Sequence, residues 1–124
     1  MKIIALTLTA FVAMLHLWFM VVEMFLWQHP IGLGMFGLTE EFARETAYMA
    51  KNQGLYNGFL VAGLLWGMIA KKRDVVIFFL LCVIVAGIYG AITVSPTIFV
   101  VQAVPAILAL GALMMASGRD KAAD

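Results

Sequence analysis

Polar side chains interrupt the apolar stretches of this sequence at matching depths. Glu23, Tyr89 and Gln102 each lie four residues inside the outer end of a different stretch, and Asn57 lies four residues after Gln53, which directly precedes another stretch. A helix rises about 1.5 Å per residue, so each side chain is expected about 6 Å below that end. A carboxyl, two amides and a phenol at one level supply a proton donor and several hydrogen-bonding groups. Together they predict a polar hollow that opens outward and holds a small molecule.

Glu23 is the candidate acid. An ionisable side chain inside a bilayer costs about 3 kcal/mol on insertion scales, and such residues usually face the bundle interior and carry function. In low dielectric the carboxyl is either neutral and able to donate a proton, or ionised and held by donors such as Asn57 or His16. His16, seven residues earlier on nearly the same helix face, is the candidate proton relay. Taken singly, His16, Asn57 and Gln102 are equally typical of interhelical hydrogen bonds.

Four apolar stretches must position these groups. The mean hydropathy is +1.04 and 65% of the residues are apolar, and a bilayer core of about 30 Å needs roughly 20 helical residues. Only helices or closed barrels satisfy backbone groups in lipid, and these stretches show no strand alternation. The sequence therefore predicts an all-α bundle in a single domain, residues 1–124, with four transmembrane spans at about 3–27, 54–70, 75–93 and 98–117.

The distribution of Lys and Arg predicts the orientation. With four spans, six of the eight basic residues fall at the N-terminus, in the loop at residues 71–74 and in the C-terminal tail. The opposite side has only Arg44 and Lys51, so the positive-inside rule places both termini in the cytoplasm. We interpret the basic cluster at residues 71–73 as a topology anchor rather than a lipid-headgroup site.

The segment from residue 28 to 53 is the one sizeable extramembrane piece. His29-Pro30 and the glycines at 32, 34 and 37 indicate a turn, whereas Thr39 with two glutamates after it is typical of a helix N-terminus. A short helix is expected to begin there, as a lid or as an extension of the second span. The net charge of +1 and the lack of a basic stripe with aromatics give no indication of nucleic-acid binding.

Motifs along nearly the whole chain resemble a known family. The run Asn52-Gln53-Gly54-Leu55-Tyr56-Asn57-Gly58, with residues 86–90 and 102–106, resembles small bacterial integral membrane proteins grouped as DUF1304. The resemblance implies topology and a location in the bacterial inner membrane, but no activity. Within these motifs, the polar side chains besides Asn57 and Tyr89 are the candidate substrate-binding residues: Asn52, Gln53, Tyr56 and Gln102.

A weaker resemblance is to small four-helix epoxide isomerases of the styrene oxide isomerase type. Those enzymes carry an Asn-Gly pair in helix two and a Gly-x-Tyr in helix three that line an epoxide site with haem. Asn57-Gly58 and Gly87-Ile88-Tyr89 are similar, which implies that Asn57 and Tyr89 contact an epoxide oxygen.

Haem is where the chain departs from that likeness. The axial histidine expected before the helix-two glycine is replaced by Asn52 or Gln53. We therefore expect no metal and no cofactor; haem b would require His16 or His29 as its iron ligand.

The sequence thus predicts a membrane enzyme that acts on a small lipophilic substrate by acid-assisted chemistry, either epoxide isomerisation or hydrolysis. Glu23, Tyr89, Asn57 and His16 are its candidate catalytic residues. The alternative is a small-molecule binding or proton-coupled transport protein that acts as a homo-oligomer. An accessory subunit whose polar residues only hold the bundle together is a third interpretation.

Overall fold

The computed structural model describes residues 2–121, with side chains described for residues 2–116. Within this range every regular element is a helix, which confirms the all-α prediction. The charged side chains of Arg119 and Lys121, counted above for the orientation, lie outside the described side chains. The elements are α1 (Lys2–Phe25), α2 (Pro30–Phe36), α3 (Glu40–Ile69), α4 (Arg73–Thr93), a π-helical turn (Phe99–Ala103) and α5 (Val104–Lys121).

Among the described residues, three helical segments are long and apolar enough to cross a membrane, namely Lys2–Phe25, Arg73–Thr93 and Phe99–Ala116. These segments make the chain a helical membrane protein. α3 is the longest helix, at 30 residues, but is not among the three. Its first half is charged, and Asn52, Gln53 and Asn57 follow, so its mean hydropathy is lower than that of the other long helices.

The core lies where the four long helices meet. Val12 and Ala13 of α1 pack with Leu64 of α3, Leu80 of α4 and the small side chains of α5. Large apolar side chains elsewhere on these helices are exposed, as expected for surfaces that face lipid tails. The interior of the bundle is therefore built mainly from Ala, Val and Leu side chains.

Glycines allow the helices to approach one another closely. A Cβ added at Gly54 would lie 2.5 Å from Cγ of Met24 on α1, and one at Gly58 would lie 2.9 Å from Sδ of Met20. On the other side of the bundle, a Cβ at Gly87 of α4 would lie 2.8 Å from the backbone nitrogen of Ala103. These helices approach more closely than any larger residue would allow.

The prediction of a turn at residues 29–37 is wrong, because this segment forms the two-turn helix α2. Local capping explains the difference. Nδ1 of His29 accepts a hydrogen bond from the Ile31 amide at 3.3 Å, and Pro30 occupies the first turn, where no N–H is needed. Gly37 then ends the helix in the left-handed conformation, with φ 63°.

The start of α3 at Thr39 is as predicted. Oγ1 of Thr39 accepts a hydrogen bond from the Phe42 amide at 3.2 Å and caps the helix. α3 then runs without interruption to Ile69, so residues 40–53 are the first half of one long helix and not a separate lid. Trp27, just beyond α1, holds this first half: its Nε1 donates to Oγ1 of Thr46 at 3.0 Å.

The last helix is irregular just before Pro105. The amide of Val104 donates to the carbonyl of Phe99, five residues back, which defines the π-helical turn. Pro105 follows without an N–H, so the carbonyl of Val100 has no donor from either residue. The turn contains Gln102 and places Ala103 against Gly87 of α4.

Candidate functional site

Two of the predicted site residues meet at the contact between α1 and α3. Nδ2 of Asn57 donates a hydrogen bond of 2.6 Å to Oε2 of Glu23. Asn57 is 4% exposed, and Glu23 is partly buried. Equal depth on two antiparallel helices has therefore brought an acid and an amide into direct contact.

Gly54 and Gly58 make this contact possible. They lie on either side of Asn57 along α3 and face Met24 and Met20, which flank Glu23 on α1. Because neither glycine has a Cβ, the α3 backbone approaches α1 closely enough for the short side chain of Asn57 to reach the carboxyl. The two methionines line the contact on the α1 side.

The second carboxyl oxygen of Glu23 remains available. No described residue donates to Oε1, and among the described side chains no enclosed nitrogen or oxygen lacks a hydrogen-bond partner. Oε1 is therefore reachable from the surface. It is the atom from which a proton could pass to a bound molecule, while Asn57 fixes the orientation of the carboxyl.

Burial along α1 shows where the access lies. Val12, His16 and Phe19 lie on the same helix face as Glu23 and are buried, whereas Glu23 itself is partly exposed. This face of α1 thus becomes accessible near the C-terminal end of the helix, which leads to Trp27. The acid lies at the edge of the packed interior, on the side that the sequence predicts to be outer.

His16 does not contact Glu23. The two residues are seven positions apart, about 10.5 Å along the helix axis. The side chain is 1% exposed, and its Nδ1 lies 2.9 Å from the carbonyl oxygen of Val12. Since a carbonyl only accepts, Nδ1 carries the proton. The described hydrogen bonds of His16 and Glu23 go to other partners and do not join the two residues.

The structure separates Tyr89 from the Glu23–Asn57 pair, contrary to the expectation of one shared hollow. The interior face of α4 is marked by buried Val83 and Gly87, and Tyr89 is two residues further on, about 200° around the helix. Its side chain is 69% exposed. It borders a shallow groove on the outside of α4, lined also by Phe78, Leu81, Cys82, Val85 and Ala86.

The candidate substrate-binding residues are distributed over the surface. Asn52 is exposed, and its Nδ2 donates to the Tyr48 carbonyl of the same helix at 2.9 Å. Tyr56 is exposed with its ring 5.9 Å from that of Phe59. Gln53 is exposed one turn before Asn57, and Gln102 is half-buried in the π-helical turn. Of these four, Gln53 lies one turn before Asn57 on the same face of α3.

His16 and His29, the two histidines that could serve as haem ligands, lie in different environments. His16 is enclosed by the bundle, and Nδ1 of the exposed His29 caps α2. Among the described residues, no three of His, Cys, Asp and Glu are grouped in a way that could hold a metal ion.

The structure also identifies residues that sequence reasoning did not single out. Met20 and Met24 border the acid, and Trp27 ties the end of α1 to the first half of α3. The available signal was the four-residue spacing of the methionines, which places them on one side of α1 opposite two glycines with the same spacing.

Comparison with known proteins identifies the family of this chain. A family profile described as "Protein of unknown function (DUF1304)" matches residues 10–114, a range that contains both Glu23 and Asn57. The chain belongs to the DUF1304 family. It is 30% identical over 114 residues to an uncharacterized protein, YpaA, of Lactococcus lactis, which covers 89% of this chain and 96% of that protein. No solved structure matches this DUF1304 member. The resemblance to epoxide isomerases stays a prediction.

Proposed function

We propose that this DUF1304 member is a membrane enzyme that acts on a small lipophilic molecule by acid-assisted chemistry, with Glu23 as the acid. The observation that supports the proposal is the 2.6 Å hydrogen bond from Asn57, which orients the carboxyl and leaves Oε1 accessible. Neither the apolar packing around residue 23 nor its hydrogen bond to Asn57 requires a carboxyl group at this position. A glutamine would bond equally well to Asn57, so the carboxyl indicates proton chemistry.

The proposed substrate class is an epoxide. Oε1 of protonated Glu23 gives its proton to the strained ether oxygen as the C–O bond breaks, leaving a hydroxyl group and an adjacent carbocation. In isomerisation a hydride shifts to that carbon, and the hydroxyl proton returns to the Glu23 carboxylate as the carbonyl forms. In hydrolysis the carboxylate takes a proton from an attacking water. The methionines beside Glu23 offer a soft, apolar lining for the charged intermediate.

The test of this proposal is an assay of the purified protein in detergent with a panel of aryl and terpene epoxides. We expect wild type to convert at least one epoxide to a carbonyl compound or a diol. Tyr89→Phe should keep that activity within about twofold, because Tyr89 lies on the outer face of α4 away from the acid. Absence of turnover for every epoxide would reject the enzyme. An absorption spectrum with a Soret band would add haem to the proposal.

Proton-coupled binding or transport by a homo-oligomer is the second candidate, and one observation favours it. Thr9 and His16 are buried and lie fourteen and seven residues before Glu23, respectively, on the same face of α1. They extend a line of polar groups from the acid toward the other end of the helix. Solute uptake into vesicles that depends on a pH gradient, without epoxide turnover, would favour this candidate.

We further propose that α3 crosses the membrane as well, which gives four spans with both termini in the cytoplasm of a bacterial inner membrane. α3 is packed between α1 and α4 along its second half, and Gly63 and Gly67 contact Phe79 and Val76 of α4. A helix held in this way between two apolar helices shares their depth. The distribution of Lys and Arg supports the orientation.

The four-span arrangement predicts that Arg44 and Lys71 lie on opposite sides of the membrane. Arg44→Cys and Lys71→Cys, each made together with Cys82→Ser, provide single thiols at exposed positions. We expect a membrane-impermeant maleimide to label Arg44→Cys in intact cells, and Lys71→Cys only after permeabilisation. Labelling of both from the same side would show that α3 does not cross.

A further inference from the structure

The turn between α3 and α4 carries three consecutive basic residues, Lys71, Lys72 and Arg73, and all three are exposed. This basic turn is fourteen to sixteen residues beyond Asn57, so it lies at the end of the bundle away from the acid. An inference about it does not rest on the proposed chemistry.

The contacts of the basic turn hold its cations without neutralising them. Nη2 of Arg73 donates to Sδ of Met114 at 3.2 Å, and a thioether is a weak, uncharged acceptor. Nζ of Lys72 lies 5.4 Å from the centre of the Trp66 ring, an arrangement in which the ring face attracts the ammonium. Both side chains are thus positioned by α3 and α5 while their charge stays available.

Lys71 has an unusual backbone conformation. Its φ is 54°, the one positive value at a non-glycine residue in the described chain. A left-handed conformation is unfavourable for an L-residue, and glycine is the usual residue where a helix ends in this way. The fold therefore explains the turn but not the lysine. A requirement for positive charge at this place would explain it.

The surroundings of the basic turn match a membrane boundary. Trp66 is 54% exposed and lies one turn before the end of α3. Ile69, the last residue of α3, lies between Trp66 and the basic turn and is 79% exposed. Tryptophan favours the level of lipid headgroups, with apolar side chains toward the tails and Lys and Arg toward the water. The three cations consequently lie where lipid phosphates lie.

We propose that the basic turn binds the phosphate group of an anionic phospholipid. Arginine offers paired N–H donors to phosphate oxygens, lysine adds compact positive charge, and the exposed Ile69 and Trp66 accommodate the start of an acyl chain. The cluster then serves both as a topology anchor and as a lipid-headgroup site, which differs from its interpretation from sequence as an anchor alone.

Native mass spectrometry in detergent, with phosphatidylglycerol or phosphatidylcholine added, tests this proposal. We expect wild type to retain phosphatidylglycerol preferentially. The variant Lys71→Gln/Lys72→Gln/Arg73→Gln should bind it roughly 100-fold more weakly, about fivefold for each cation removed. The control, Arg44→Gln/Lys51→Gln, removes two positive charges at the other end of the bundle and should bind as wild type does.

Two further measurements keep the proposal falsifiable. If the triple variant does not fold, Lys72→Gln alone should weaken binding about fivefold. Inorganic phosphate at millimolar concentration should compete only weakly with the lipid, because it cannot use the apolar part of the site. Equal retention of both lipids, an equal loss in the control, or tighter binding of inorganic phosphate than of phosphatidylglycerol would overturn the proposal.

Discussion

Glu23→Gln should abolish epoxide turnover while leaving the fold intact. Glutamine has the same shape as glutamate, and its Oε1 can accept the hydrogen bond that Nδ2 of Asn57 now gives to the carboxyl. It cannot, however, deliver a proton to a substrate oxygen. Loss of a general acid typically costs 10²- to 10⁴-fold, so we expect turnover to fall on the order of 100-fold or more. Steady-state kinetics on the best substrate of the epoxide panel measure this.

The interpretation of Glu23→Gln depends on two comparisons. The helical circular dichroism and the melting temperature in detergent should match those of wild type, because the hydrogen bond to Asn57 is replaced and not lost. Asn57→Leu is the complementary variant. It removes the donor and leaves the carboxyl without its partner, and it should lower stability by about 1–3 kcal/mol. Turnover by Glu23→Gln equal to that of wild type would remove this residue from the mechanism, whatever the fold does.

Gly87→Ala should destabilise the bundle, whereas Gly111→Ala should not. A Cβ at Gly87 would lie 2.8 Å from the nitrogen and 3.1 Å from the Cα of Ala103, and backbone cannot move aside as a side chain can. We expect α4 to be pushed away from the π-helical turn, at a cost of about 1–3 kcal/mol. A Cβ at Gly111 meets no atom within 4 Å, and alanine there favours the helix by up to about 1 kcal/mol.

Both glycine variants are compared with wild type by thermal unfolding in the same detergent, followed by circular dichroism. A lower melting temperature for Gly87→Ala together with an unchanged or higher one for Gly111→Ala is the expected pattern. Similar changes in both variants would mean that the loss of backbone freedom, and not the close contact with Ala103, controls the effect.

Depth along a helix could be read from the sequence, and direction around it could not. Counting residues from the span ends placed Glu23 and Asn57 at one level, and the structure brings them into contact. The same count placed Tyr89 at that level too, but Tyr89 points away from the interior. α4 is apolar around its whole circumference, so its sequence gives no periodicity from which to tell the inner face.

Local backbone chemistry was predicted unevenly for a similar reason. Thr39 is a common helix cap, and the start of α3 was predicted correctly. Histidine is not among the usual caps, and three glycines between residues 32 and 37 favour a turn, so α2 was not expected. Gly32 is needed there because a Cβ would meet the carbonyl groups of Leu26 and Trp27. Such a requirement is visible only once the chain has folded back on itself.

The position of Asn57 within an unbroken helix bears on the chemical lifetime of the protein. Asparagine followed by glycine, as in Asn57-Gly58, is the dipeptide most prone to deamidation, because a following nitrogen free of a side chain can attack the amide. α3 holds that nitrogen in helical geometry, and the bundle covers the amide from water. Deamidation of Asn57 would place a second carboxylate beside Glu23, where like charges repel. Helix α3 thus protects from deamidation the same amide that it holds against Glu23.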